Sequence, residues 1–211
     1  VGQELIVKPA DQGSSVALHV CSGVEELQTV LESLGKGDWM IEQRILGREV
    51  TIGLLNGQPM GIVEVVPDGG IYDYKRKYSA GSTEYRFPAV LDLEVEEEIR
   101  EFARISYEVC ECRDFARVDF MISEDGIPYF LAVNTLPGLT STSLFPKSAK
   151  CSGYDFPKLA QKLKMILHVQ GVSESDATGV ATTLPTASKK MEKRPQSKAV
   201  LHVNTIETSS F

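Results

Sequence analysis

The sequence is poor in the residues that build metal and redox centres. It holds three histidines and four cysteines in 211 residues. Cys21, Cys110, Cys112 and Cys151 form no CxxC pair and have no histidine at zinc spacing. That argues against a structural zinc site or a disulfide framework, and for reduced, partly buried thiols in a reducing compartment. No run of about 18 apolar residues occurs, so no transmembrane helix is expected. Positive charge is not in excess. With 22 Lys and Arg against 29 Asp and Glu, the formal net charge is -7, which gives nucleic acid or an anionic membrane no electrostatic reason to bind. Neither an initiating Met nor a signal peptide is present. The chain opens in a strand-like run, "VGQELIVKPA", and reads as part of a longer protein.

What is present is a patterned chain long enough for one domain and a tail. Residues 3–8 predict a strand ended by Pro9, followed by the polar loop "DQGSS" and a second strand in "VALHV". Ser22 is placed to cap a helix over 24–34, with Val24, Leu27, Val30, Leu31 and Leu34 on one face and Gly35 closing it. A strand is expected over 39–45. Next comes a hairpin of 48–55 and 58–66 across Asn56-Gly57, a dipeptide suited to a type I′ turn. Residues 67–85, rich in Gly, Tyr and Lys, read as a long binding loop or lid. A helix over 93–112 presents Val95, Ile99, Phe102, Ser106 and Val109 as its core-facing stripe. It is followed by strands 116–123 and 127–133, a hydroxyl-rich loop, and a helix over about 155–169. Residues 172–211 turn rich in Ser, Thr, Lys and Pro and predict a disordered tail behind a domain of 1–171.

The chemistry concentrates in "ARVDFMISEDGIPYFLAVNTLPGLTSTSLFP". A two-residue turn at Asp125-Gly126 pairs 124 with 127, which sets Asp119 opposite Ala132 and Arg117 opposite Asn134. By alternation these four share one face, while Ala116, Val118, Phe120, Leu131 and Val133 point into a core. A guanidinium, a carboxylate and an amide at adjacent positions suit a hard cation and phosphate oxygens. The plainer alternative is a solvated Arg–Asp pair. Gly138 adds an accessible backbone N–H, and Thr140, Ser141 and Ser143 add hydroxyls. Upstream, Lys8 precedes a Gly-Ser-Ser turn able to grip phosphate, Glu42 and Glu49 flank a loop, and Lys75, Arg76 and Lys77 sit in the Tyr-bearing segment. Each of these has a bland reading as a solvated side chain.

Taken in order, "IVKPADQGSSV", "MIEQRILGREVTI", "YDYKRKY", "ARVDF" and "VNTLPGLTSTSLFP" resemble the C-terminal half of D-alanine–D-alanine ligases, over about residues 3–169. The resemblance implies an α+β chain of the ATP-grasp fold, mostly antiparallel sheets with packed helices. It implies ATP-dependent joining of two D-alanines through an acyl phosphate, for peptidoglycan precursors in the cytoplasm. In it, Lys8 resembles the lysine that reaches an ATP phosphate, with Ser15 in the adjoining turn. Glu42 and Ile45 fall at the adenine contacts. Glu49 matches a carboxylate that touches the ribose or ties down the active-site loop, and Ser14 and Tyr78 match a serine and a tyrosine that close the site with it. Lys77 matches a lysine on the terminal phosphate, and Arg117 and the Gly138 N–H match the oxyanion stabilisers. Ser143 and Leu144 match contacts to the second D-alanine's carboxylate, and Asp119 and Asn134 match two of three ligand positions for a pair of Mg²⁺ or Mn²⁺ ions.

The third ligand position departs. The family pattern is Glu-x-Asn-Thr, and this chain has Ala132, which puts metal binding and turnover in doubt. Gln12 also replaces a loop Glu. The family's N-terminal domain, which holds the first D-alanine, would precede Val1, so the isolated chain is expected to be inactive. Homodimers are common in the family, largely through those missing parts. Two other readings stay open: a degenerate ATP-grasp module that binds nucleotide or supports a partner domain, and a carboxylate–amine ligase with another substrate, for which Leu136 and Thr142 are variable positions.

Overall fold

The computed structural model describes residues 4–11, 15–67 and 83–169. The expected tail and the loop bearing Lys77 and Tyr78 lie outside these residues, as do Gln12 and Ser14. The chain runs β1 (Glu4–Pro9), β2 (His19–Ser22), α1 (Val24–Ser33), β3 (Trp39–Gln43), β4 (Gly47–Leu55), β5 (Gln58–Pro67), β6 (Thr83–Arg86), α2 (Leu93–Val109), β7 (Phe115–Ser123), β8 (Pro128–Asn134), α3 (Leu144–Cys151) and α4 (Phe156–Val169). Two antiparallel sheets result, of order β2-β1-β3 and β6-β5-β4-β7-β8. No helix among the described residues is long and apolar enough to cross a membrane.

The five-stranded sheet is covered differently on its two faces. Val50, Ile52, Leu54, Ile62, Ala116, Val118, Phe120 and Ile122 pack under α2, against Ile99, Ala103 and Tyr107. Val109, expected in that stripe, is 71% exposed because α2 ends there, short of the expected residue 112. On the other face, Leu55, Met60 and Phe115 pack with Phe145 and Ala149 of α3 and Leu159 and Leu163 of α4. Beyond this apolar end the same face carries Arg117, Asp119 and Glu49, the paired rows of Gly53, Thr51 and Met121 setting their order.

Several local expectations are corrected. Ser22 does not cap α1: Gly23 takes the cap position at φ 94°, and the Glu26 carboxylate reaches back to accept the Ser22 N–H at 2.7 Å. No side chain of α1 is fully buried. Residues 15–17 form a turn, with Ser15 and Ala17 at positive φ, so β2 begins only at His19. The expected loop after Asn134 contains α3, and the expected loop 67–85 ends in β6. Asn56 and Gly57 both take positive φ, at 51° and 74°, as a type I′ turn requires.

α3 lies directly on the sheet because two glycines leave it room. A Cβ on Gly61 would stand 2.1 Å from Cys151 Cβ, and one on Gly53 would stand 2.9 Å from the Phe145 ring. The β4–β5 register shifts between Ile52 and Leu54, and the Ser148 hydroxyl serves the backbone there. It accepts from the Gly53 N–H at 2.8 Å and donates to the Gly61 carbonyl at 2.5 Å. On the α2 side, Glu64 is buried and takes Arg48 Nε at 2.7 Å and Nη2 at 2.9 Å. These bonds hold its carboxyl below the usual carboxylate range, against the opposing effect of burial.

Two outcomes follow from this packing. Gly61→Ala should lower unfolding free energy in urea by about 1–3 kcal/mol through overpacking, whereas Gly35→Ala, with open space around it, should not. Because Glu64's folded pKa is depressed, its contribution is fully present above its unfolded value, near 4.5, and is lost as pH falls through the lower folded value. Glu64→Gln should therefore flatten the acid limb of a stability–pH curve below about pH 4.5 while costing stability at neutral pH.

Candidate functional site

The register between β7 and β8 decides which side chains meet. Arg117 pairs with Asn134, Val118 with Val133, and Asp119 with Ala132, but Phe120 pairs with Phe130. Leu131 is therefore an extra, unopposed residue. It is 37% exposed rather than buried in the core as expected. The turn differs too. Ser123 N–H donates to the Ile127 carbonyl and Gly126 N–H to the Ser123 carbonyl, both at 2.9 Å, with Gly126 at φ 81°. That is a three-residue loop closed by a left-handed glycine, one residue longer than expected. The bulge at Leu131 cancels the offset, so the rungs at Asp119 and Arg117 keep the expected partners.

On this face Arg117 grips Asp119 with two prongs, Nε to Oδ1 and Nη2 to Oδ2, each at 2.8 Å. Both side chains are mostly shielded, at 18% and 19% exposure. The buried Thr51 hydroxyl, one strand over on the rung of Asp119, lies 2.5 Å from Oδ1. Sequence reasoning missed Thr51. Its signal was the strand alternation that places it on the face of Glu49. Glu49 is half-buried on that face, opposite Met121 and Val65. Asn134 Oδ1 accepts the Leu136 N–H at 3.1 Å and starts the turn out of β8.

That turn ends in a knot of hydroxyls. Thr140 Oγ1 lies 2.7 Å from Ser143 Oγ and 3.2 Å from Thr142 Oγ1, and the Thr140 N–H donates to Ser143 Oγ at 3.3 Å. A Cβ on Gly138 would stand 2.8 Å from Ser143 Oγ, so the Pro-Gly approach depends on the missing side chain. Ser143 is the cap residue of α3, and Leu144 is its first helical residue. Pro146 in the first turn, after a serine, is a helix-start signal the sequence reading passed over. Lys147 Nζ donates to the Thr142 carbonyl, and burial lowers its pKa.

The remaining residues sit on or beside the three-stranded sheet. Lys8 Nζ lies 2.5 Å from Glu42 Oε2, the two side chains 25% and 37% exposed. They meet across the diagonal of the β1–β3 ladder, since Ile6 pairs with Glu42 and Lys8 with Met40. Ile45 is half-buried in the link from β3 to β4, and Ser15 holds φ 58° in the turn before β2. Three groupings thus form: Lys8 with Glu42; Arg117, Asp119 and Asn134 with Thr51; and Gly138 with Ser143.

The first 165 residues match the family model described as D-ala D-ala ligase C-terminus. The chain belongs to that family. It is 43% identical over 161 residues to D-alanine–D-alanine ligase of Syntrophotalea carbinolica, covering 75% of this chain and 52% of that one. The solved D-alanine–D-alanine ligase of Bacillus anthracis superposes with a TM-score of 0.68 at 35% identity, over 81% of this chain and 56% of that one. The same enzyme complexed with ATP gives 0.66 at 34% identity, over 81% and 55%. The fold is accordingly the α+β ATP-grasp fold of these ligases. The chain spans about half the length of the curated relatives it matches.

The donor set does not fit a pair of divalent cations. Its carboxylate, Asp119, has both oxygens committed to Arg117 and one also to Thr51; Asn134 offers one amide oxygen, already bonded; and position 132 offers a methyl group. Among the described residues no three His, Cys, Asp or Glu side chains gather to hold a metal ion. Hard cations need several oxygen ligands, and this face supplies too few.

Thr51→Val should lower unfolding free energy by about 1–2 kcal/mol at neutral pH, because Asp119 loses a donor in a shielded site. Thr51→Ser should retain most of it. Denaturant titrations of the three forms would compare them.

Proposed function

We propose that the chain is the nucleotide- and acceptor-binding part of an enzyme that joins two D-alanines with ATP, weakened in metal binding by Ala132. The observation that carries this is the β7–β8 register, which sets Arg117, Asp119 and Asn134 on one face leading into the Gly138–Ser143 turn. The membership of its family supports the same reading. The reaction has two displacements. A D-alanine carboxylate oxygen attacks the terminal phosphorus of ATP as the bond to ADP breaks. The amine of the second D-alanine then attacks the acyl carbon, loses a proton, and phosphate leaves.

In this reading Lys8 neutralises phosphate oxygens, exchanging its contact with Glu42 for the nucleotide. Glu42 and Ile45 border the adenine, Ser15 lies in the phosphate-side turn, and Glu49 meets the ribose or the active-site loop. Lys77, Ser14 and Tyr78 are assigned to the terminal phosphate and to closure. The Arg117 guanidinium and Gly138 N–H stabilise the oxyanion of the tetrahedral intermediate. Asp119 fixes the plane of that guanidinium through its two-pronged contact. The Ser143 hydroxyl and Leu144 N–H take the acceptor carboxylate at the α3 N-terminus, where unpaired N–H groups favour an anion. Upstream parts of the full protein supply the first D-alanine's site and any dimer contact. ATP use and reduced thiols fit the cytoplasm.

A second reading is favoured by one observation, the methyl of Ala132 facing a carboxylate that Arg117 already grips with two bonds. It is a module that binds ATP without turning it over. Phosphate release by the full-length protein, with ATP, D-alanine and Mg²⁺, separates the two. Under the ligase reading the protein releases phosphate only with D-alanine, and Ala132→Glu raises the rate by about 10–100-fold or more. ATP binding without D-alanine-dependent release, in both forms, overturns ligation in favour of the second reading.

A further inference from the structure

Lys147 stands four residues after the hydroxyl turn and has no part in the roles above. It is half-buried on α3, among Phe145, Pro146, Ser148 and Ala149, which are all buried. Its Nζ donates to the Thr142 carbonyl and also lies 4.6 Å from the centroid of the Tyr85 ring on β6. One turn further, Lys150 Nζ lies 5.8 Å from the Phe87 ring centroid. Two lysines of one helix thus stand over two aromatic rings from β6 and the residues just after it, an arrangement that attracts cations to ring faces. The bonds among Thr140, Thr142 and Ser143 are internal to the turn. They set its shape, whereas the Lys147 ammonium ties it to a second element.

We infer that Lys147 is a positioning residue for the acceptor: through the Thr142 carbonyl it holds the Thr140–Ser143 turn against Tyr85 of β6. The inference rests on the reading of that turn as the acceptor carboxylate's seat. Lys147 does not touch the reacting atoms. It fixes where the Ser143 hydroxyl and the Leu144 N–H stand, so its loss weakens acceptor binding and leaves the nucleotide's affinity alone. The carbonyl needs a donor and the ring face favours a cation, so arginine can substitute and methionine, of similar length but neither donor nor cation, cannot.

The test uses the full-length protein and compares Lys147→Met, Lys147→Arg and Tyr85→Leu. Lys147→Met should raise KM for the acceptor D-alanine about tenfold, the size of one charge-assisted hydrogen bond. KM for ATP and kcat should stay within about twofold, and Lys147→Arg should recover most of the loss. Amide hydrogen exchange should quicken in residues 139–146 and not in 93–109. An acceptor KM unchanged within about twofold, or an equal rise for ATP, overturns the inference. If Lys147→Met destabilises the whole fold, Tyr85→Leu must reproduce the acceptor-specific rise with α3 left intact, and its failure to do so is equally fatal. Absence of any D-alanine-dependent phosphate release defeats the ligase reading instead. Exchange in residues 139–146 then decides Lys147's hold by itself: quickened in Met and native in Arg supports it, and unchanged in Met overturns it.

Discussion

The arrangement of the site depends on how closely one short helix can approach a sheet. α3 has only eight residues, too few to be stable by itself, and its place is fixed by Gly53, Gly61 and Ser148. The glycines remove the side chains that would hold the helix off, and the Ser148 hydroxyl satisfies a backbone N–H and a carbonyl where the β4–β5 register shifts. An unsatisfied buried backbone group costs about 1–3 kcal/mol, so helix and register shift support each other. Phe145 fills the space over Gly53, and Gly53 is paired with Arg117 on the next strand. The hydroxyl turn at the start of α3 is thereby carried to the row where the charged side chains begin.

The same sheet bears an arginine–carboxylate pair on each face, and the two do different work. Arg48 and Glu64 close the α2 side, where Arg48 also bonds the Val90 carbonyl and Arg86 approaches Glu64 at 3.9 Å. Each partner there is spent on holding strands and a loop together. Arg117 and Asp119 lie two residues apart on one strand, so their contact links no distant elements and adds little to the fold. What it gives is orientation: a planar guanidinium held by two bonds has its remaining donors aimed in a fixed direction.

Much of this was legible because strand alternation and turn chemistry are local. Asn56-Gly57 specified its hairpin outright, and the partners of Arg117 and Asp119 were correct. The hairpin at Asp125-Gly126 was read with the wrong loop length, and the error vanished only because the bulge at Leu131 restored the register. A bulge leaves no mark in composition, since Leu131 looks like any core residue of a strand. α3 escaped because Ser-Leu-Phe-Pro reads as a loop when it follows a Pro-Gly turn, and because its apolar positions answer to a sheet surface hollowed by glycines on other strands. The contacts of Thr51 with Asp119, of Ser148 with Gly53 and Gly61, and of Lys147 with Tyr85 span dozens of residues, and no short window of sequence contains them.

The charge balance of the site turns on position 132. Directly opposed residues on neighbouring antiparallel strands hold their Cβ atoms about 4.5–5.5 Å apart. A glutamate there would face Asp119 across the rung, and like charges so placed destabilise each other unless a cation lies between them. With Ala132 that repulsion is gone. Arg117 and Asp119 meet through two hydrogen bonds of opposite-charge partners, and Thr51 adds a third to the carboxylate. The alanine therefore shapes the site beyond its own methyl group. It lets Asp119 settle as the partner of Arg117 and Thr51, which together occupy three of its acceptor positions. In that arrangement Asp119 fixes the plane of the guanidinium, and Thr51, on the same rung, fixes Asp119.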